Sequence, residues 1–519
     1  MDESSDASGH SIDDTVTGTG APVAPIELSG GPAGATSHYR DSPAQIDEST
    51  LNRLRSVCSI VDDDPRTTGE ASRDWWPLAM IWATRGQIPQ RGAAVARPGT
   101  PAEVADVLAV CNDAHIPVTA AGGRSGVAGA SVPRYGGLVL DMCGLSGIRD
   151  VDDKSLVADV LAGTFGDRYE NELRNTHSLT GGHWPQSMAL STVGGWLACR
   201  GAGQLSTRYG KIEDIVLGLD VVLADGRTLQ TGGHPRAAVG PDLNQLFVGS
   251  EGTLGVITGA RLRVHPAPQS RRVAAYAFAS FETGLEWCRK VMRRGARPAV
   301  LRLYDAIESD RHYQTGDQTC VAIVMDEGDQ VIIDASMDVV AAEAAAAGGE
   351  VLSDDLVAIW FRERNNVAAL ESLISKGFVV DTMEVSASWA QVAAVTDEAL
   401  GAIRQIPGVL AASAHCSHSY SDGACVYFTF AAQVPEDERE STYNRIWDVG
   451  TRKVLELGGS LSHHHGVGLN RSRFVAEALG AGMGVLDSIK STLDPNGILN
   501  PGKMGMSSPF AIELSGGPS

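Results

Sequence analysis

The chain has 519 residues, of which 43% are hydrophobic and 20% charged, values typical of a soluble globular protein of two or three domains. Its net charge of −21 argues against nucleic acid or an anionic membrane surface as a partner, and leaves room for a local basic pocket. We expect no transmembrane segment, because no apolar run of about 18 residues occurs, and no secretory signal begins the chain. The eight cysteines are scattered without a CxxC pair, which favours a reduced, cytoplasmic protein.

Residues 1–45 are rich in Ser, Gly, Thr, Asp and Pro and poor in large apolar residues. Such a segment buries too little surface to offset its ordering entropy, so we expect a disordered tail. A heptapeptide within it, residues 26–32, recurs identically as residues 512–518 inside a second tail, residues 506–519. Two explanations of this repeat remain: a short strand at each terminus that docks on the folded protein, or an artefact in the sequence.

Residues 46–90 form the predicted N-terminal helical segment. Leu51, Leu54, Val57 and Cys58 follow one another at helical spacing, which predicts a helical pattern that continues to about residue 84. Trp75 and Trp76 then provide large aromatic side chains, and we interpret this pair as packing anchors rather than as chemistry.

Residues 91–267 are predicted to form a domain with three glycine-rich loops. A strand at 94–96 precedes a helix that begins with Thr100, Pro101 and Glu103, and a second strand at 116–119 opens into the first loop, residues 120–129. This loop does not match G-x-G-x-x-G and no Walker lysine follows it, so a nicotinamide Rossmann site or an NTPase is disfavoured. A purely structural turn is the alternative.

The second loop covers residues 180–210 and the third residues 249–258. Between them, a buried strand at 215–223 turns at Asp225 and Gly226 into a second strand, and a further strand covers residues 260–264. Three loops of this kind in one domain predict an extended dinucleotide that lies across it, because their backbone N–H groups can bind phosphate oxygens.

A domain boundary is predicted at Pro266–Pro268. Residues 268–457 alternate strands (273–278 and 423–430) with helices (281–294, 333–347 and 389–404), which indicates an α+β cap domain for the substrate. Residues 458–505 then return to the first domain and include a predicted helix at 473–492.

Three adjacent histidines, His463, His464 and His465, lie in the Gly- and Ser-rich run 458–468. The pKa of imidazole lies near physiological pH, which suits it to proton transfer and to metal binding. A polar turn whose histidines face water is the alternative.

The stretches 121–129, 191–195, 249–258 and 494–497 resemble those of the FAD-linked oxidases of the vanillyl-alcohol oxidase and p-cresol methylhydroxylase type. Within that family, residues 209–214, 240–242, 301–303, 420–428 and 462–468 are most similar to the branch of the alkyldihydroxyacetonephosphate synthases. The resemblance covers roughly residues 70–505. It implies an α+β fold, in which a two-subdomain FAD-binding domain carries an α+β cap domain behind a disordered N-terminal tail. We also expect a homodimer.

The resemblance further implies which residues contact FAD. They are Thr119, Ala120, Ala121, Gly122, Gly123, Arg124, Ser125 and Gly126 in the first loop, Gln186, Ser187, Met188, Ser191, Thr192, Gly195, Cys199, Arg200 and Ala202 in the second, and Glu251, Gly252, Thr253, Leu254, Gly255, Val256 and Ile257 in the third. The first loop contains neither His nor Cys, so we predict non-covalent FAD. His183 and Cys199 keep covalent attachment open.

The synthase branch implies an exchange of an acyl for an alkyl group on a ketone phosphate, through a covalent adduct at flavin N5. Tyr420 would be the general acid and base, His463, His464 and His465 a polar wall, and Arg302 an anion contact. Two alternatives remain: an FAD-dependent oxidase or dehydrogenase of a 2-hydroxy acid or alcohol, and a non-catalytic flavin-fold protein with a binding role.

Two comparisons within the family bear on the site. Related D-2-hydroxyacid dehydrogenases carry metal-binding histidines where this chain has residues 419–426, and both ligand positions lack His here. We therefore predict no metal, with a zinc site at His418 and His465 as the alternative. Residues 369–372 lack the arginine that the synthase branch has there, which argues against a phosphate-bearing substrate. The substrate is expected to be a small molecule or lipid-like, with peripheral membrane contact left open.

Overall fold

The computed structural model describes residues 16–316, 318–367 and 369–511. The N-terminal part contains short elements: α1 (Gly31–Gly34), β1 (Thr36–Ser37), α2 (Glu48–Val57), β2 (Val61–Asp62), α3 (Pro65–Ala71), α4 (Pro77–Ala83) and β3 (Gln87–Ile88). The predicted helical pattern is therefore divided into three helices after residue 46. Pro65 and Pro77 each begin a new helix, because proline fits the first turn but cannot continue the preceding one.

The prediction of a disordered tail is wrong for residues 16–45. Ile26 and Leu28 are buried in the same core as Trp75 and Trp76, and Arg73 Nη1 donates to the Ile26 carbonyl at 2.8 Å. Ile26 and Leu28 therefore attach this segment to the hydrophobic core, and amino-acid composition alone does not predict such a contact. Residues 1–15 and the second copy of the heptapeptide lie outside the described residues.

The FAD-binding domain begins at the predicted strand. Its elements are β4 (Ala94–Ala96), α5 (Pro101–Asp113), β5 (Val118–Ala121), β6 (Leu138–Asp141), β7 (Ile148–Asp152), β8 (Val157–Leu161), α6 (Gly166–Glu172), β9 (Leu179–Thr180), α7 (Val193–Cys199), α8 (Ser206–Tyr209), α9 (Ile212–Ile215), β10 (Val216–Val222), β11 (Thr228–Gly232), α10 (Asn244–Phe247), β12 (Val256–Arg263) and β13 (His265–Pro266). Thr100 caps α5 by accepting from Glu103 N at 3.2 Å, as its sequence predicts.

This domain has two sheets with separate cores, which confirms the two-subdomain architecture. One sheet has the order β2-β4-β6-β5 and packs against α2 and α5; the other has the order β11-β10-β12-β8-β7. The predicted hairpin is present as the antiparallel pair β10 and β11, in which Val222 lies opposite Thr228.

The cap domain contains β14 (Ser270–Phe278), α11 (Phe281–Arg293), β15 (Val300–Tyr304), α12 (Ala306–Tyr313), β16 (Cys320–Gly328), α13 (Gln330–Ala346), β17 (Glu350–Leu352), α14 (Asp355–Glu363), α15 (Ala369–Ser375), β18 (Val379–Ser388), α16 (Val392–Arg404), β19 (Val409–Ser419), β20 (Gly423–Ala432) and α17 (Arg439–Glu456). Its sheet has the order β17-β14-β16-β15-β19-β20-β18. One face packs on α11, α13, α16 and α17, together with α4. The other face meets the FAD-binding domain through Val300, Ile323 and Met325.

The returning C-terminal segment differs from its prediction. The single helix expected at 473–492 is wrong, because two helices occur there, α18 (Val475–Leu479) and α19 (Gly482–Leu493). Gly480 separates them at a φ of +53° and a ψ of −127°, a backbone conformation that residues with a side chain rarely adopt and that glycine allows. In the described part of the chain, no helix combines the length and apolar character needed to cross a bilayer.

Candidate active site

The three glycine-rich loops converge on one region. A Cβ on Gly123 would lie 1.9 Å from the carbonyl oxygen of Leu190, so the first and second loops touch at their backbones. The third loop joins them, because Glu251 N donates to the carbonyl of Ala198 at 2.9 Å. The residues predicted to contact FAD are therefore neighbours in space, although their individual contacts with FAD stay predictions.

Several buried polar atoms in and beside these loops have no hydrogen-bond partner among the described residues. They include both ring nitrogens of His183, Oε1 of Gln204 and Nη1 of Arg124. Burial, followed by the charge of Lys211, lowers the pKa of His183 to about 3, so its imidazole is neutral. Buried polar atoms are normally hydrogen-bonded, and this set of atoms without hydrogen bonds fits a large polar ligand such as a dinucleotide.

A groove of about 250 Å³ lies beside the first loop. Its lining combines basic, acidic and small side chains: Arg66, Thr67, Glu70, Ala71, Val95, Arg97, Arg124 and Asp141. The guanidinium of Arg97 pairs with Asp141 at 2.8 Å. The polar surface of the loops thus continues along the sheet of β4 and β6, as an elongated ligand requires.

Replacing Gly123 with alanine is expected to reduce the FAD that purifies with the protein. The added methyl group would meet a backbone oxygen, so the first and second loops must separate, and overpacking of this kind costs about 1–3 kcal/mol. The ratio of flavin to protein absorbance measures the effect. Gly99→Ala is the control in the same domain, because Gly99 lies outside the predicted FAD contacts and its Cβ would meet no heavy atom nearer than 3.9 Å. Equal FAD content in the two variants would contradict the expectation.

The three-histidine loop is held by two buried glutamates. Glu384 of β18 accepts hydrogen bonds from the backbone N–H groups of all three histidines. Glu251 accepts from Val467 N and from Gly468 N, the latter at 2.9 Å. A loop without regular structure thereby gains a fixed conformation, and the alternative of a polar turn facing water is wrong, since His463 is only 8% exposed.

Glu384 is ionised. Burial opposes its charge, but Arg471, whose Nη1 lies 2.7 Å away, and then His465 and His463 hold the pKa of this carboxyl well below its usual range. Ser462 Oγ donates to the same carboxylate at 2.7 Å. Both carboxylate oxygens of Glu384 thus accept hydrogen bonds that stabilise the three-histidine loop.

The described residues contain one group that could hold a metal ion, formed by Glu384, Cys425, His463 and His464, with ligand atoms within 4.8 Å of one another. Its carboxylate oxygens and at least one ring nitrogen of each histidine are already hydrogen-bonded. Burial raises the pKa of the Cys425 thiol well above its usual value, which disfavours the thiolate that a metal needs. The absence of a metal stays a prediction.

Tyr420 lies at the centre of a hydrogen-bond chain. Its hydroxyl is 2.9 Å from His463 Nε2 and 3.1 Å from Ser206 Oγ. On one side Ser206 Oγ continues to His418 Nδ1 at 2.7 Å. On the other side the chain runs through the remaining ring nitrogens to a second tyrosine, with distances of 2.8 Å for His463 Nδ1–His464 Nδ1 and 2.6 Å for His464 Nε2–Tyr427.

Every group in this hydrogen-bond chain is neutral near pH 7. Burial raises the pKa of Tyr420 well above its ordinary value, and burial with the charge of Lys211 lowers the pKa of His463 to about 3. Hydroxyls and neutral imidazoles can each donate and accept. The arrangement can therefore pass a proton along the chain to or from Tyr420.

Sequence reasoning predicted Tyr420, His463 and His464 but missed Ser206, His418 and Tyr427 as members of the chain. His465 lies outside it: its ring is 4.5 Å from that of His464, and its Nδ1 lies 3.7 Å from Glu384 Oε1 but has no hydrogen-bond partner in the described part of the protein. The period of two along β20 could have indicated Tyr427, which lies directly opposite Glu384 in the sheet.

Within the described residues, Arg302 of β15 is a cation that forms no ion pair with a carboxylate. Its Nε donates to Tyr304 Oη at 3.0 Å. Burial opposes its charge, but Tyr304 and then Tyr427 raise its pKa above the ordinary value. Arg302 remains partly exposed while Leu301 and Leu303 are buried, so its side chain faces an opening on the side of the FAD-binding domain.

Comparison with known proteins agrees with this geometry. Residues 92–232 match the family model described as "FAD binding domain", and residues 267–504 match "FAD linked oxidases, C-terminal domain". An uncharacterized FAD-linked oxidoreductase of Escherichia coli K12, YgcU, is 33% identical over 430 residues, which cover 79% of this chain and 88% of that protein.

Alkyldihydroxyacetonephosphate synthase of Caenorhabditis elegans is 29% identical over 460 residues, or 81% of this chain and 77% of that protein. A crystal structure of an alkyldihydroxyacetonephosphate synthase has the same fold, with a TM-score of 0.75 and 24% identity over 89% of this chain and 87% of the other. The chain therefore belongs to the FAD-linked oxidase family that its loops indicate, and it is an FAD-dependent enzyme.

Proposed function

We propose that this enzyme transforms a small anionic substrate at a carbon–oxygen bond, with Tyr420 as the group that carries the proton. The observation that supports this most directly is the hydrogen-bond chain through Tyr420, on the side of the cap sheet that also presents Arg302. FAD supplies the electron-accepting ring next to which the substrate carbon reacts. Arg302 binds the anionic group of the substrate and fixes its orientation.

The first candidate reaction is the exchange of an acyl for an alkyl group on a ketone phosphate. Tyr420 would give its proton to the departing carboxylate oxygen and regain one from the incoming alcohol, so that the exchange leaves the hydrogen-bond chain unchanged. The three-histidine loop, the stretch 420–428 and the synthase relative support this candidate.

The second candidate is oxidation of a 2-hydroxy acid or an alcohol. Tyr420 would accept the proton of the substrate hydroxyl while passing its own proton to His463 Nε2, and bound FAD would supply the acceptor for the hydrogen and two electrons that leave the carbon. The lack of an arginine in residues 369–372 favours this candidate, because a phosphate group would be expected to bind there. The 33% identical relative is likewise described as an oxidoreductase.

Anaerobic mixing of the holoenzyme separates the two candidates. Bleaching of the flavin absorbance by a 2-hydroxy acid or alcohol would support oxidation. Formation of an ether product from an acylated ketone phosphate and a long-chain alcohol, without net bleaching, would support exchange. If neither set of compounds reacts, both candidates are wrong.

Replacing Arg302 with leucine is expected to weaken the binding of sulfate, a simple anion, by ~10–100-fold, because a hydrogen bond to a charged group contributes about 1.5–3 kcal/mol. Isothermal titration of the holoenzyme measures this affinity. Arg294→Leu is the control, since Arg294 lies on the surface and pairs with Glu343 at 3.1 Å. Equal sulfate affinity of wild type and Arg302→Leu would argue against the anion site.

Non-covalent attachment of FAD stays a prediction, and the chemistry of Cys199 supports it. Burial, followed by the charge of Glu251, raises the pKa of this thiol to about 12, so a nucleophilic thiolate is scarce. The cytoplasmic location, the homodimer and a lipid-like substrate also stay predictions.

A further inference from the structure

His415 lies beside Arg302 on the sheet face that borders the site. It is directly opposite Tyr304 in the pairing of β15 with β19, and Arg302 is two residues from Tyr304 and so shares its face. The imidazole stacks on the ring of Tyr427, with centroids 4.7 Å apart and planes 13° from parallel. His415 thus links the anion contact to the end of the hydrogen-bond chain, although it belongs to neither.

Glu308 of α12 fixes the orientation of this imidazole. His415 Nδ1 is 2.7 Å from Glu308 Oε2, while Ser413 Oγ lies 3.0 Å and Arg311 3.1 Å from Oε1. Burial opposes ionisation of Glu308, but His415 and then Arg311 hold its pKa well below the usual range. An ionised carboxylate only accepts hydrogen bonds, so Nδ1 of His415 carries the proton.

The other ring nitrogen is consequently an acceptor. Burial lowers the pKa of His415 by more than Glu308 raises it, so the ring is neutral and Nε2 presents a lone pair. Nε2 has no hydrogen-bond partner within the described residues and is not fully enclosed. The side chain of His415 is 13% exposed while Ala414 and Cys416 are buried. The acceptor on His415 and the cation on Arg302 therefore line the same side of the sheet.

We propose that His415 Nε2 accepts a hydrogen bond from a substrate hydroxyl next to the anionic group that Arg302 binds. The enzyme would then select small anions that carry a free hydroxyl group, with His415 as a specificity-determining residue and Glu308 as its positioning residue. This inference rests on the anion site of the proposed function. It favours oxidation over exchange, because a ketone phosphate whose hydroxyl is acylated has no hydroxyl to donate.

The test compares two ligands that differ by one hydroxyl group, glycolate and acetate, with the flavin reduced beforehand so that glycolate is not oxidised. Isothermal titration of the wild-type holoenzyme is expected to show ~10-fold tighter binding of the hydroxylated ligand, as one net hydrogen bond provides. In His415→Leu the ratio of the two affinities should fall to about 1, while acetate binds as before. Glu308→Gln should lower the ratio in part, and His234→Leu, in an exposed loop, should leave it unchanged.

Further variants keep the result interpretable. Because His415→Leu removes the hydrogen bond to Oε2 of the buried Glu308 carboxylate, the double variant Glu308→Gln/His415→Leu repeats the comparison if the single variant does not fold. An unchanged ratio in either variant, or no preference in the wild type, would overturn the inference. If Arg302→Leu weakens the binding of both ligands while His415→Leu preserves the ratio of their affinities, only the proposed hydroxyl contact is wrong. If Arg302→Leu changes the affinity of neither ligand, the proposed anion site itself is wrong.

Discussion

Replacing Tyr420 with phenylalanine is expected to leave FAD bound and to lower the turnover number by a factor of ~10²–10⁴, the usual contribution of a general acid or base. The substitution removes one hydroxyl and interrupts the hydrogen-bond chain between Ser206 and His463. The ring itself remains, so the packing of the loop is retained. Turnover with the substrate found by anaerobic mixing, together with the flavin content, measures both parts of the expectation.

Tyr276→Phe provides a control for the loss of a tyrosine hydroxyl in the cap domain. Tyr276 lies on β14 in the core on the opposite face of the sheet, away from the hydrogen-bond chain. Its variant should turn over at the wild-type rate. Normal turnover by Tyr420→Phe would show that Tyr420 does not carry the proton.

Glu384→Gln is expected to lower the free energy of unfolding by ~3–5 kcal/mol, because it leaves the buried charge of Arg471 without its partner. The side chains of Arg471 and Glu384 are 1% and 0% exposed, so solvent cannot replace the lost ion pair. Denaturant unfolding of the wild type and the variant measures the difference. Glu172→Gln, on the exposed face of α6, is the matched control and should change stability little.

The same carboxylate predicts a dependence on pH. Its pKa lies below the unfolded value of about 4.3, so its contribution to stability is complete above that pH and declines as the pH falls towards the folded pKa. The Gln variant should lack this part of the acid sensitivity. A stability loss below about 1 kcal/mol, with unaltered acid sensitivity, would show that Glu384 does not organise the loop.

The sequence predicts well those features that depend on near neighbours. The start of α5 follows from Thr100, Pro101 and Glu103, and the turn between β10 and β11 follows from Asp225 and Gly226. Each of these signals lies within a few residues of the structure that it specifies, so no tertiary contact is needed to interpret it. The resemblance of the loops to a known family likewise identifies the fold and the cofactor.

The geometry of the site depends on residues that are distant in the sequence, so it could not be predicted from local sequence patterns. The contacts that fix the three-histidine loop join it to Glu384 over 79 residues and to Glu251 over 216 residues. Nothing in the local sequence of the loop identifies either glutamate. Tertiary contacts also explain why residues 16–45 are packed, because their partner is a core to which the cap domain contributes most of the residues.

The N-terminal tryptophans have a consequence for the order in which the protein folds. Trp76 Nε1 donates to Tyr443 Oη at 3.1 Å across 367 residues, and Trp82 Nε1 donates to Glu440 at 3.0 Å across 358 residues. At a synthesis rate of ~5–20 residues per second, the apolar helix α4 waits ~20–70 s for α17 to emerge. Contacts this remote in sequence also slow folding after release. Newly made chains therefore expose a tryptophan-rich surface of the kind that leads to aggregation, and chaperone supply should influence their yield.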